Sequence, residues 1–133
     1  MFKIDEQLKN DSYFICDLSL SQLRLVKKSS WPWLLLVPRV EGVTEIFQLS
    51  DFDQATLMKE MVQVSRLVKS LFSKDKCNIA SFGNVVSQLH VHIMGRSIGD
   101  TAWPGPAWVN MIDTEYTQAE AEKIIDLIKK STG

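Results

Sequence analysis

The chain has two histidines, and they stand two residues apart in Gln88-Leu89-His90-Val91-His92-Ile93-Met94. This stretch alternates polar and apolar residues without a break. In a β-strand, successive side chains point to opposite faces. Read as a strand, it buries Leu89, Val91 and Ile93. Gln88, His90 and His92 then line the other face at roughly 7 Å intervals. A lone histidine reads first as a satisfied packing residue. A same-face pair followed by a glycine-rich loop favours a functional site. His-x-His can supply two ligands to zinc, iron or manganese, but such sites usually need a third or fourth. There is no third histidine. No spacing marks Cys77 or a carboxylate for that place, so no metal ligand is assigned. A third reading is nucleophilic catalysis. A neutral imidazole nitrogen can attack phosphorus and divide one hard displacement into two easier ones. The attacking nitrogen must be free of its proton, so the other nitrogen needs an acceptor. The carbonyl of a neighbouring strand is the natural candidate. The second imidazole then assists the leaving group or binds the phosphate.

These residues need a scaffold. Tyr13–Cys16 and the partly alternating Leu18–Leu25 read as strands. Lys27-Lys28-Ser29-Ser30 reads as a hairpin connection. Trp33–Val37 is a continuous apolar run ended by Pro38, which predicts a central strand covered on both faces. Trp33 is read as packing. Ser50 can cap a helix whose first turn carries Asp51 and Asp53 and whose body runs to about Phe72. Leu57, Met61, Val64, Val68 and Leu71 make its apolar stripe. Cys77–Phe82 and Gln88–Met94 are the next strands, and 95–105 is a loop. Thr117-Gln118-Ala119-Glu120 resembles a capping box that opens a last helix, with Ile124, Leu127 and Ile128 on one side. The order strand–strand–helix–strand–strand–helix predicts an α+β domain with a largely antiparallel sheet, one long central helix and a C-terminal helix.

At 133 residues the chain is one domain's worth, read as 1–133. Fifteen Lys and Arg against 16 Asp and Glu leave a net charge of −1, which disfavours a nucleic-acid binder. A hydrophobic content of 45% with 23% charged residues argues against wholesale disorder. Cys16 and Cys77 make neither a disulfide framework nor a CxxC motif. The N-terminal residues are charged too early for a signal peptide, and no apolar run is long enough to span a membrane. The expectation is a soluble, cytoplasmic protein.

Gln88–Met94 resembles the signature of the histidine triad family, His-φ-His-φ-His-φ-φ with φ apolar. Leu34–Arg39 is similar to that family's apolar strand ending in Pro-Lys or Pro-Arg, and Leu49-Ser50-Asp51 matches the next element. Asn78 to Trp108, with Gly83-Asn84-x-x-x-Gln-Leu-His-Val-His and Trp103-Pro104-Gly105-Pro106-x-Trp108, resembles a bacterial subgroup described as diadenosine-polyphosphate-hydrolase-like. The resemblance implies a small homodimeric α+β protein that binds a nucleotide. It implies cleavage at the α-phosphate of a dinucleoside polyphosphate or nucleoside phosphoramidate through a nucleotidylated histidine. The alternative is a nucleotide-binding module with little turnover. By position, His90 matches the nucleophile and His92 the last histidine of the triad. Gln88 stands where the first would be, and is counted with the catalytic group. Asn78, Gly83 and Asn84 match positions near the phosphate, although all three also suit turns. Trp103 either covers the nucleotide or lies in a dimer contact. No tightly bound cofactor is implied, with Mg²⁺ admissible as the nucleotide's companion.

Two departures from the family pattern bear on turnover. Gln88 cannot take a proton at neutral pH. Trp33 replaces a further histidine that often precedes the apolar strand. Each lost acid–base partner costs on the order of 10²–10⁴-fold where it served that role. Lys27 replaces a small polar residue near the ribose.

Overall fold

The computed structural model describes residues 1–132. The apolar run at 33–37 becomes β3 (Trp33–Pro38), buried at every position. It sits in the middle of a five-stranded sheet with β1 (Ser12–Asp17), β2 (Ser21–Val26), β4 (Lys76–Ala80) and β5 (Val91–Arg96), in the order β1-β2-β3-β5-β4. All four pairings are antiparallel. The helices are α1 (Glu6–Asp11), α2 (Asp51–Leu71) and α3 (Gln118–Thr132). This is the α+β architecture that the sequence predicts.

Alternation divides the sheet into two unlike faces. Leu23 and Leu25 of β2, Leu34 and Leu36 of β3, and Val91 and Ile93 of β5 belong to one core cluster. Leu57, Val64 and Val68 of α2 and Ala121 and Ile128 of α3 complete it. The opposite face carries Val26, Trp33, Leu35, Val37 and Met94, joined by Leu8 of α1 and by Ala102 and Ala107 of the long loop after β5.

The helix caps form as the sequence dictates. Ser50 Oγ accepts from Asp53 N–H at 3.1 Å. Thr117 and Glu120 exchange the two bonds of a capping box. Glu60, by contrast, is a carboxylate inside the apolar stripe of α2. It is 4% exposed and accepts from the N–H groups of Leu20 and Ser21, which ties α2 to the turn before β2.

Several boundaries differ from the sequence reading. The strand expected at 88–94 begins only at Val91, because pairing with β3 starts at Leu36↔Val91 and Leu89 N–H donates instead to Val43 C=O. The strand continues through Gly95 and Arg96, which had been expected in a loop, because both pair with β4. A Cβ at Gly95 would lie 2.7 Å from Lys74 Cγ and 2.9 Å from Val68 Cγ1, so the sheet closes on α2 only with glycine there. The strand expected at 77–82 ends at Ala80. In α3, Leu127 is 42% exposed, and Ala121 and Ile128 are the buried positions. The helix α1 has no counterpart in the sequence reading.

Candidate functional site

On the loop-covered face a cavity of about 720 Å³ opens beside β5. Leu8, Val26, Trp33 and Leu35 supply apolar wall, and His90 and His92 both line it. The two imidazoles lie with ring centroids 4.9 Å apart. The alternation therefore places both rings on one side, while Leu89, Val91 and Ile93 enter the core.

The rings are held in opposite ways. His90 is 7% exposed, and its Nδ1 lies 2.7 Å from the carbonyl oxygen of Gln88. A carbonyl only accepts, so Nδ1 carries the proton and a neutral ring presents a bare Nε2. The acceptor was expected on a neighbouring strand. It lies two residues back, because residues 88–90 have left the strand and turn that carbonyl toward the ring. His92 Nδ1 accepts from the indole N–H of Trp33 at 3.0 Å. Burial, and after it the nearby charge of His90, push His92 down to about 4.

Gln88 does not line the cavity with the histidines. Its side-chain amide donates to Lys3 C=O and accepts from Asp5 N–H, both at 2.8 Å. It thus secures the segment that leads into α1, whose residues Gln7 and Leu8 line the cavity. Gly83 and Asn84 line the cavity as well. Gly83 adopts φ +71°, a conformation that suits glycine, in the turn that brings residues 82–86 to the cavity. Among the described residues, the N–H groups of 84–87 donate to no chain carbonyl.

Asn78 is not at the cavity. It lies on β4, and its Oδ1 accepts from Arg96 Nη1 at 3.2 Å. Trp103 is likewise absent from the lining, and the cavity takes Trp108 instead. The cause lies in the Arg96 cluster. Arg96 is 1% exposed and its Nε and Nη2 each meet a carboxylate oxygen of Asp100 at 2.8 Å. Its Nη1 also donates to Gly105 C=O, and its guanidinium stacks 4.6 Å over Trp31. The arginine's hydrogen bonds hold Asp100 down to about 2. This anchoring fixes the loop between residues 96 and 105 and delivers the far end of the Trp-Pro-Gly-Pro-Ala-Trp stretch to the site. Trp108 stands edge-on to His92 with centroids 5.0 Å apart and also contacts Trp33 and Phe82.

The sequence reading therefore missed two site residues, Phe82 and Trp108, and took Trp33 as packing; Trp33 is buried in the core cluster and lines the cavity as well. All three are aromatic, and spacing does not show which way an aromatic ring faces. Among the described residues, no three His, Cys, Asp or Glu side chains are grouped to hold a metal ion. Among the same described residues, no helix is long and apolar enough to cross a membrane.

The sequence matches the family model of the HIT domain over residues 7–98. A histidine triad protein from Bradyrhizobium japonicum is 41% identical, with a TM-score of 0.95 over 99% of this chain and 98% of that one. One from Sinorhizobium meliloti is 37% identical, with a TM-score of 0.94 over 98% and 97%. One from Marinobacter aquaeolei is 36% identical, with a TM-score of 0.95 over 99% and 96%. No curated protein has significant similarity to the chain.

Proposed function

The chain belongs to the histidine triad family, and from that membership, which supports a nucleotide-binding or hydrolase role, we propose that it is a nucleotide hydrolase or transferase acting at an α-phosphate through His90. The observation that carries this reading is the 2.7 Å contact between His90 Nδ1 and Gln88 C=O, which leaves Nε2 as a free lone pair at the cavity. In the first step Nε2 attacks phosphorus, a P–N bond forms, and the bond to the leaving group breaks with its electron pair on that group. In the second step water attacks phosphorus, the P–N bond breaks, and the pair returns to Nε2. One proton of the water passes to solvent. Free N–H groups in the 84–87 loop, with Asn84, are suited to receive the phosphate oxygens. A volume of about 720 Å³ suits a ligand of nucleotide size. The candidate substrate classes are dinucleoside polyphosphates and nucleoside phosphoramidates, the classes that the resemblance to the diadenosine-polyphosphate-hydrolase-like subgroup implies. No tightly bound cofactor is part of the proposal, and Mg²⁺ enters only with the nucleotide.

The test is AMP release from a dinucleoside polyphosphate. His90→Ala is expected to lower it by at least about 10³-fold. Unchanged release removes His90 from the mechanism.

A second reading, a nucleotide-binding module with little turnover, is favoured by one observation. Gln88 is committed to the N-terminal segment and Trp33 replaces a titratable residue, so neither offers a proton carrier beside the phosphate. Tight AMP binding without product over hours at high protein concentration would select it.

Homodimerisation belongs to the same proposal. β4 is an edge strand on which Ile79 is 48% exposed, and α2 exposes Met58 and Val62. Light scattering should give about twice 15.1 kDa, and a monomer mass contradicts it.

A further inference from the structure

Trp33 is buried to 5% exposure, and its indole N–H points at His92 Nδ1 from 3.0 Å. An indole nitrogen can only donate. The bond therefore requires Nδ1 to be an acceptor, and the one proton of the neutral ring must sit on Nε2. Protonating Nδ1 would set two N–H groups against each other across the same 3.0 Å, with no water between them. The contact thus works against the imidazolium form independently of the burial of the ring.

The surroundings of His92 add no opposing charge. The side chains in ring contact with it are Trp33, Phe82, Trp108 and His90, and only His90 titrates. The charged residues that line the cavity, Asp11, Lys27, Lys28 and Glu115, stand on α1, after β2 and before α3. β3 lies between β2 and the strand of His92. Lys28 is further committed to Asp113 and Glu115. Desolvation acts in the same direction and holds His92 near 4.

A neutral imidazole with its proton on Nε2 can donate a hydrogen bond to a phosphate oxygen. It cannot hand that proton to a leaving group without becoming an imidazolate. We propose that Trp33 is a positioning residue that locks His92 as a neutral Nε2–H donor, so that the ring beside the nucleophile is no general acid. Its substrates are then nucleotides whose leaving group departs as a stable anion, as from a phosphoanhydride or an aryl phosphate. Nucleoside phosphoramidates, whose amine must gain a proton as the P–N bond breaks, are poor substrates. This narrows the reading in which His90 attacks the α-phosphorus and rests on it.

Two measurements test the inference. In unliganded wild-type protein, ¹⁵N–¹H correlation of the histidine side chains should report His92 as the Nε2–H tautomer, unprotonated at pH 6. An Nδ1–H tautomer, or a ring that titrates near 6.5, overturns the proposal whether or not the protein turns anything over. In kinetics, adenosine 5′-aryl phosphates with progressively more basic phenols should slow steeply. Adenosine 5′-phosphoramidate should fall at least about 10²-fold below the nitrophenyl ester. Trp33→Phe keeps an apolar ring and deletes the N–H, and should shrink that ratio at least about tenfold at pH 6. A phosphoramidate hydrolysed as fast as the ester by wild type overturns the proposal. A folded Trp33→Phe protein with an unchanged ratio does so too. Wild-type protein inert toward every ester overturns the substrate assignment. Full turnover in His90→Ala instead defeats the underlying mechanism and leaves the His92 tautomer to stand or fall on the spectra. The wild-type spectra and the ester series need no variant, so a Trp33→Phe protein that fails to fold leaves the test intact.

Discussion

The two faces of the sheet are covered by different means. Across one, α2 and α3 lay regular apolar stripes on Leu34, Leu36, Val91 and Ile93, and the side chains between them are buried. Across the other, a loop and a six-residue helix cover Trp33, Leu35 and Met94, and leave the cavity open over the histidines. Regular elements satisfy their own backbone, so the helical face needs only apolar side chains. A loop cannot do this, and its turns must be held by side chains. Arg96 and Asp100 do that on the second face. The difference teaches that burial on the helical side makes stability, whereas burial on the loop side makes position: of a tautomer, a turn and an aromatic wall.

Substitution can break this contrast. Asp100→Ala leaves the charge of Arg96 buried without its carboxylate. It should cost about 3–5 kcal/mol in a denaturant titration. Because Trp108 then loses its anchor, KM for nucleotide should rise in the protein that remains folded. Leu57→Ala on the helical face should cost a similar amount, about 2–5 kcal/mol. Its KM should stay at the wild-type value once the folded fraction is accounted for. Equal shifts of KM in both variants would erase the distinction between the faces.

Acid should sharpen it by a smaller amount. His92 is held near 4 in the folded chain, first by burial and then by His90, against an ordinary value of 6.5. A depressed folded value means that the unfolded chain binds the proton first. The stability is complete above about pH 6.5 and is lost as pH falls toward 4. The loss amounts to on the order of 3 kcal/mol. Asp100, held near 2, keeps its charge in both states through most of that range and adds little. Denaturation at pH 7 and pH 4.5 should show the drop in wild type and a smaller one in His92→Asn. An identical drop in both proteins would place the acid sensitivity elsewhere.

Much of the helical face was readable because its cause is periodic. Leu57, Val64 and Val68 recur at helical spacing, Trp33–Val37 is apolar throughout, and Ser50 and Thr117 are local caps whose partners lie three residues away. Such patterns survive without knowledge of the fold, since each depends on neighbours in the chain. The alternation in 88–94 likewise revealed that His90 and His92 share a side. It did not disclose that the amide of Gln88 is taken by Lys3 and Asp5, some 83 to 85 positions away.

What the amino-acid order alone determined is the paired imidazoles, the central strand and the helix with its cap, because spacing and propensity act over a few residues. Only the tertiary structure decided which nitrogen of each ring holds a proton, and which tryptophans face the cavity. It also showed that Asn78 serves Arg96 rather than the site. Those outcomes depend on pairing between strands and on the course of a loop. The Trp33–His92 bond joins residues 59 positions apart, and nothing local in either segment prescribes the register that brings them together.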